Sequence, residues 1–170
     1  PKLHKDDSPE AICQKIFSTE ITALQRTIHA LDLDNMKQVA HILSQAAHIV
    51  FAGTGGSMIV ARDAHHKFLK IGVHVSAAED KDIQLMEASL LGKGDVLFAV
   101  SHSGNNIHVL RAAELAKSCG ATVVGLTTAG KTSLSKIADH CITTISEETI
   151  FRSESGSTRL AQLAVIDSLV

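Results

Sequence analysis

Residues 95–100 read Asp-Val-Leu-Phe-Ala-Val, apolar without a break from Val96 to Val100. A strand with one wet face alternates polar and apolar residues, so an unbroken run implies burial on both faces, as in a parallel strand at the centre of a sheet. Four more short apolar runs punctuate the chain, at 48–52, 73–75, 121–126 and 140–143. A helical pattern follows each of the five. Ile59, Val60, Ala64, Phe68 and Leu69 lead to Gly72, and Asp80 caps a segment running to Leu91, with Gly92 just beyond it. Ile107 to Cys119 ends at Gly120, Thr132 to Ala138 is short, and Ser153 to Val170 closes the chain.

Five strand–helix units with short connections specify a right-handed, mostly parallel sheet covered on both faces. The expected fold is α/β, a three-layer αβα sandwich around a five-stranded parallel sheet in the flavodoxin-like order 2-1-3-4-5. Two helices precede this core. Ser8-Pro9-Glu10 is a helix start, with Phe17, Ile21, Leu24, Ile28 and Leu31 as one apolar stripe. Asp34 is expected to cap the second, with Met36, Val39, Ala40, Leu43 and Ala47 inward. The 170 residues form one domain, 1–47 as leading helices and 48–170 as the βα core.

Several functions are excluded early. A net charge of -2 gives this chain no basic patch for gripping a nucleic-acid backbone. No apolar run approaches ~20 residues and no basic-apolar leader opens the chain, so a cytoplasmic location is expected, with no membrane partner. Cys13, Cys119 and Cys141 are three, unpaired by pattern, and read as reduced thiols. Among ten histidines, His65 and His66 are adjacent and point about 100° apart on a helix, and no ligand set at metal spacing accompanies them. Neither a metal nor a cofactor is expected. Pro1 at the start and an apolar helical pattern running out at Val170 suggest a piece of a longer protein.

Ligands of open parallel sheets sit beyond the carboxyl ends of the strands where the order reverses. In the order 2-1-3 that point lies between the loops after the first and third strands. These are Gly53-Thr54-Gly55-Gly56-Ser57 and Ser101-His102-Ser103-Gly104-Asn105-Asn106, the two richest in glycine and hydroxyls. Each precedes a helix, whose first N–H groups and dipole favour an anion. Gly104 permits positive φ and close approach, while Ser101 and Ser103 supply hydroxyl donors. A turn plus helix cap is the plain alternative for either loop alone. Their pairing favours a phosphate site. No Walker lysine and no G-x-G-x-x-G with a ribose-binding acid is present, which weakens nucleotide readings.

Gly55-Gly56-Ser57 with Ser101-His102-Ser103-Gly104 resembles the sugar isomerase (SIS) domain. Asp80 to Met86, Gly94 to Leu97, Ala112 to Lys117, Phe151-Arg152-Ser153 and Ser157 to Asp167 resemble one branch of it, the C-terminal effector-binding domain of the RpiR family of bacterial transcription regulators. The resemblance covers about residue 35 onward and implies a phosphorylated-sugar effector. It implies that Ser57, Ser101, Ser103 and position 106 contact phosphate or sugar. The family commonly has Thr at 106 where this chain has Asn106, and many relatives have His where it has Asp82, which by itself reads as a first-turn acid.

The ligand-binding set is thus Gly55, Gly56, Ser57, Ser101, His102, Ser103, Gly104, Asn105 and Asn106, with Thr127 at the rim and Glu154 toward the sugar hydroxyls. Arg152 and Arg159 flank Glu154, and a solvated helix start accounts for all three equally well. His102 reads first as packing, although an imidazole can also serve as a base. The non-catalytic sensor is favoured, with DNA read only by a helix-turn-helix absent from this chain. The alternative is an aldose–ketose phosphosugar isomerase, with Glu154 and His102 as its candidate acid–base groups. A structural domain with an empty crevice is the third reading. Leu160, Leu163, Ala164, Val165, Ile166 and Leu169 give the last helix apolar residues on more than one face, from which a homo-oligomer, dimer or tetramer, is expected.

Overall fold

A computed structural model describes residues 2–146 and 156–170. Two helices lead, α1 (Pro9–Ala30) and α2 (Leu33–Gln45). Then come β1 (Ile49–Ala52), α3 (Gly56–Lys70), β2 (Val75–Ser76), α4 (Lys81–Ser89) and β3 (Val96–Val100). The chain continues through α5 (Ile107–Ser118), β4 (Thr122–Thr128), α6 (Ser133–Ile137), β5 (His140–Thr144) and α7 (Gly156–Leu169). All four strand pairs are parallel and the sheet order is β2-β1-β3-β4-β5. The expected α/β fold and strand order are what the chain adopts.

The central strands divide their side chains between two cores with period two. Ile49, Phe51, Val96, Phe98, Val100, Val124, Leu126 and Ile142 pack with residues of α2, α3 and α7. Val50, Ala52, Leu97, Ala99 and Val123 pack on the other face with α4, α5 and α6. Phe51 anchors the first core, with ring centroids 5.4 Å from Phe98 and 5.6 Å from Phe68. Burial on both faces explains why these strands carry no polar alternation.

Local signals set the helix ends. Ser8 Oγ accepts from Ala11 N at 3.2 Å, with Pro9 at the first helical position. Asp80 Oδ1 accepts from Asp82 N at 2.9 Å and Ile83 N at 3.0 Å, which leaves Asp82 an exposed first-turn acid. The second helix begins two residues earlier than expected. Its cap is Asp32, which accepts from Asp34 N at 3.0 Å and Asn35 N at 3.1 Å, so Asp34 is a first-turn acid. Ala47 lies outside the helix and is exposed. The second strand also shifts, to Val75–Ser76, paired with Ile49 and Val50.

The two ends of the chain meet. Helix α1 lies on α7 and along β5, with Ala23 and Thr27 as its buried residues. Thr27 Oγ1 accepts from Ile145 N at 3.0 Å and donates to Ile145 O at 3.3 Å, completing the backbone bonding just past β5. Most of the apolar stripe of α1 stays outside the core, although Leu31 packs against it. Phe17 is 62% exposed, Ile21 51% and Ile28 56%. Small inward residues let α1 approach α7 closely, and the larger ones are left on its flank. The apolar second side of α7, which in the sequence suggests a partner chain, is thus largely covered by α1 and α3 of the same chain. Lys67 of α3 adds a bond to Asp167 of α7 and pairs with Asp63 at 2.7 Å.

Candidate functional site

Strands β1 and β3 are neighbours, and their chains leave the sheet on opposite faces, β1 into α3 and β3 into α5. The loops between strand and helix therefore face each other at the carboxyl end of the sheet. This is the strand-order switch point, where a crevice opens for steric reasons alone.

The loop after β3 is held by its own bonds and by β4 and α6. Ser101 is 4% exposed; its N donates to Leu126 O at 3.0 Å and its Oγ accepts from Gly104 N at 3.2 Å. The His102 carbonyl accepts from Thr128 N at 3.0 Å and from Thr127 Oγ1 at 3.1 Å. Gly104 O accepts from Leu134 N at 2.8 Å, and Asn105 Oδ1 accepts from Ser133 N at 3.1 Å. Strand β4 and helix α6 thus fix the loop from one side. Gly104 has φ +66, and a Cβ there would stand 2.4 Å from both Thr132 Cβ and Oγ1 and 2.6 Å from Thr127 Oγ1. Only glycine fits.

Exposed Ser103 forms the outer wall, where its Oγ accepts from Asn105 N at 3.2 Å and keeps its proton for another acceptor. Asn106 is the N-cap of α5, accepting at Oδ1 from His108 N at 3.1 Å and Val109 N at 3.3 Å. Its other end reaches across, Nδ2 donating to Thr54 Oγ1 of the facing loop at 3.0 Å. The amide does both jobs at once, accepting at Oδ1 and donating at Nδ2.

The loop after β1 is pinned from α4. Gln84, 3% exposed, accepts at Oε1 from Gly53 N at 3.2 Å and donates from Nε2 to Gly53 O at 3.0 Å. Gly55, at φ +57, is the N-cap of α3 and has no side chain with which to cap it. The half-buried Ser57 sits in the first turn. Of the two helices starting here, α5 is capped by Asn106, while α3 begins at a glycine.

Gly55, Gly56, Ser57 and the loop Ser101, His102, Ser103, Gly104, Asn105 and Asn106 are therefore gathered at one end of the sheet. Thr127, expected at the rim, is completely buried beneath the loop, with its hydroxyl donated to His102 O. Its position on β4 alternates away from solvent toward α6, so it supports the loop rather than bordering the crevice. Glu154, Arg152 and Ser153 lie outside the described residues. Three contributors stand outside the expected ligand-binding set: Thr54, Thr132 and Gln84. Gln84 had a signal, since it and Ala88 stand four apart on the buried side of α4, where an amide needs a buried partner. Among the described residues no group of three His, Cys, Asp or Glu could hold a metal ion, and no helix is long and apolar enough to cross a membrane.

The SIS domain family model matches residues 42–170. The Vibrio vulnificus NanR protein, complexed with ManNAc-6P, superposes with a TM-score of 0.89 at 28% identity; the match covers 97% of this chain and 61% of that one. This chain therefore spans less than two thirds of the NanR chain. The sugar isomerase domain of an RpiR transcription factor from Sphaerobacter thermophilus superposes at 0.85 with 19% identity, over 93% of this chain and 87% of that. A phosphoheptose isomerase from Francisella tularensis gives 0.79 at 17% identity, over 96% of each. The last two are likenesses of fold.

Proposed function

The chain belongs to the SIS domain family, and from that premise we propose that it is the sugar-phosphate-sensing effector domain of a bacterial transcription regulator. The observation that carries this reading is the pair of glycine- and serine-rich loops, tied by Asn106 Nδ2 to Thr54 Oγ1 at 3.0 Å. Its 28% identity to the NanR protein complexed with ManNAc-6P supports an amino-sugar phosphate or a close relative as the ligand.

In this reading the phosphate lies over the Ser101–Asn106 loop and the start of α3. The hydroxyls of Ser57, Ser101 and Ser103 donate to it, together with backbone N–H groups around Gly55 and Gly56 at the start of α3. Asn106 keeps a second amide hydrogen for the ligand while holding Thr54. Glu154 meets the sugar hydroxyls, by the family resemblance, and His102 packs beside the loop. Four or five charge-assisted bonds of roughly 1.5–3 kcal/mol each are enough for micromolar binding, about -8 kcal/mol, after association costs. Binding then shifts the balance between two arrangements of paired copies, and DNA is read by a helix-turn-helix outside this chain.

Thermal shift and calorimetry test the reading, with ManNAc-6P, a panel of hexose and pentose phosphates, free ManNAc and inorganic phosphate. A phosphorylated sugar at a hundred times Kd adds about 2.7 kcal/mol to stability, and Ser103→Ala weakens it at least tenfold. If no phosphosugar raises Tm, the ligand assignment fails. NMR of the same mixtures reads turnover. Ketose formation by the pure protein would replace the sensor with an isomerase.

A further inference from the structure

We propose that the stacked rings of His48 and His74 form a proton-operated latch, which holds the edge strand β2 on β1 near neutral pH and releases it in acid. The latch lies at the amino end of the strands, away from the crevice, and does not depend on a ligand there. Strand β2 has only two residues, Val75 and Ser76, and its pairing is with Ile49 and Val50. So short an edge strand needs more than its ladder bonds to stay in place. The register sets His74 beside His48 and turns both rings, with Ser76, to the face that carries Val50. Val75 and Ile49 point to the other face. His48 grips β2 at two points. Its ring stacks on His74 with centroids 4.2 Å apart and planes 15° from parallel, and its Nε2 lies 3.2 Å from Ser76 Oγ.

Charge makes this grip sensitive to protons. The groups that face His48 are His74 and Ser76 from β2, Asp95 at the foot of β3 and Glu87 from α4. The two carboxylates lie on its inner side. Asp95 Oδ2 already accepts from Gly92 N at 2.9 Å, whereas the buried Glu87 Oε2 accepts no hydrogen bond. Neutral imidazoles stack without penalty, but two imidazolium rings at this separation repel. A charged His48 is drawn toward Glu87 and Asp95 and stays inside with them. The repulsion therefore falls on His74, which is exposed and belongs to the edge strand, and β2 gives way with it. Burial first, then the charge of His74, holds the His48 pKa below its ordinary value, against the pull of Asp95 and Glu87. Opening relieves both restraints. The opened form takes up the proton more readily than the closed one, so acid favours it.

Hydrogen exchange on the full chain between about pH 7.5 and about pH 5 tests the latch, read as protection factors so that the intrinsic effect of pH cancels. The Ile49 amide reports on β2, because it donates to His74 O at 3.0 Å. The Val96 amide reports on the other side of β1, because it donates to His48 O at 2.9 Å. Protection at Ile49 is expected to fall about tenfold or more toward the lower pH, while Val96 changes by less than about threefold. His74→Gln is expected to keep its far-UV circular dichroism spectrum and to lose the fall at Ile49. Ile49 protection that changes no more than that of Val96 overturns the proposal, and so does a fall that persists in folded His74→Gln. Should His74→Gln fail to fold, Glu87→Gln decides. Without that carboxylate the fall at Ile49 is expected at a lower pH, and an unmoved midpoint overturns the latch.

Discussion

Asn106 Nδ2 donates to Thr54 Oγ1 at 3.0 Å, so one side chain caps α5 and joins the loops that come after β1 and β3. The two functions separate by substitution. Asn106→Ala loses both and is expected to cost about 1–2 kcal/mol, most of it the cap. Asn106→Thr keeps a capping oxygen, stays within about 0.5 kcal/mol of the native chain, and loses the bridge. Urea unfolding measures the first effect; calorimetry with a bound phosphosugar measures the second as a drop in affinity without a matching drop in stability.

Gly104 cannot carry a side chain. Gly104→Ala is expected to destabilise by about 3 kcal/mol or more, from positive φ together with overlap on Thr132 and Thr127. Gly130 has φ +113, and a Cβ there would meet nothing within 4 Å, so Gly130→Ala isolates the conformational part, about 1 kcal/mol. Urea unfolding of the two variants compares them. Equal losses at the two sites would show that the overlap is relieved by movement of the loop.

Gln84 satisfies both backbone groups of Gly53 from inside the protein. Gln84→Leu leaves a buried N–H and C=O without partners and is expected to cost about 2–4 kcal/mol. Hydrogen exchange at Gly53 checks the cause. Its amide should lose protection by more than amides in α4 itself.

His48 gives the stability a pH dependence. Its ring stacks on His74 with centroids 4.2 Å apart, and Nε2 lies 3.2 Å from Ser76 Oγ. Burial first, then the charge of His74, holds the His48 pKa below the ordinary 6.5, against the opposing pull of Asp95 and Glu87. The unfolded chain therefore takes up this proton at a higher pH than the folded one. Stability from this group is complete above pH 6.5 and is lost as pH falls toward the lowered folded value. Urea midpoints at about pH 7.5 and pH 5.5, either side of the ordinary value, should differ less in His48→Gln than in the native chain.

The sheet was legible because its strands are buried twice over. Val96 to Val100 admits no other element of that length, and glycines and caps delimit the helix after each strand. The loops of the site were legible for a related reason, since Gly104 and Gly55 sit where the backbone must turn sharply between a buried strand and a helix. Facts of neighbourhood escaped. The periodicity of α1 is real, but period alone does not say whether α7 or solvent lies opposite, and small Ala23 and Thr27 took the inward side. Thr127 was placed by strand and not by face, so its burial under Gly104 went unread. Asp32 and Asp34 are both competent caps, and the choice rests on which carboxylate can reach two N–H groups.

Thr27 and Ile145 are 118 residues apart, yet they finish the edge of the sheet together. That separation sets an order of assembly. As the chain leaves the ribosome, α1 emerges before β5 and α7 and has neither to rest on until they have been made. Its apolar side chains travel through synthesis uncovered, and the docking that hides Ala23 and Thr27 comes among the last events of folding. Helix α1 is made before its partners and settled late.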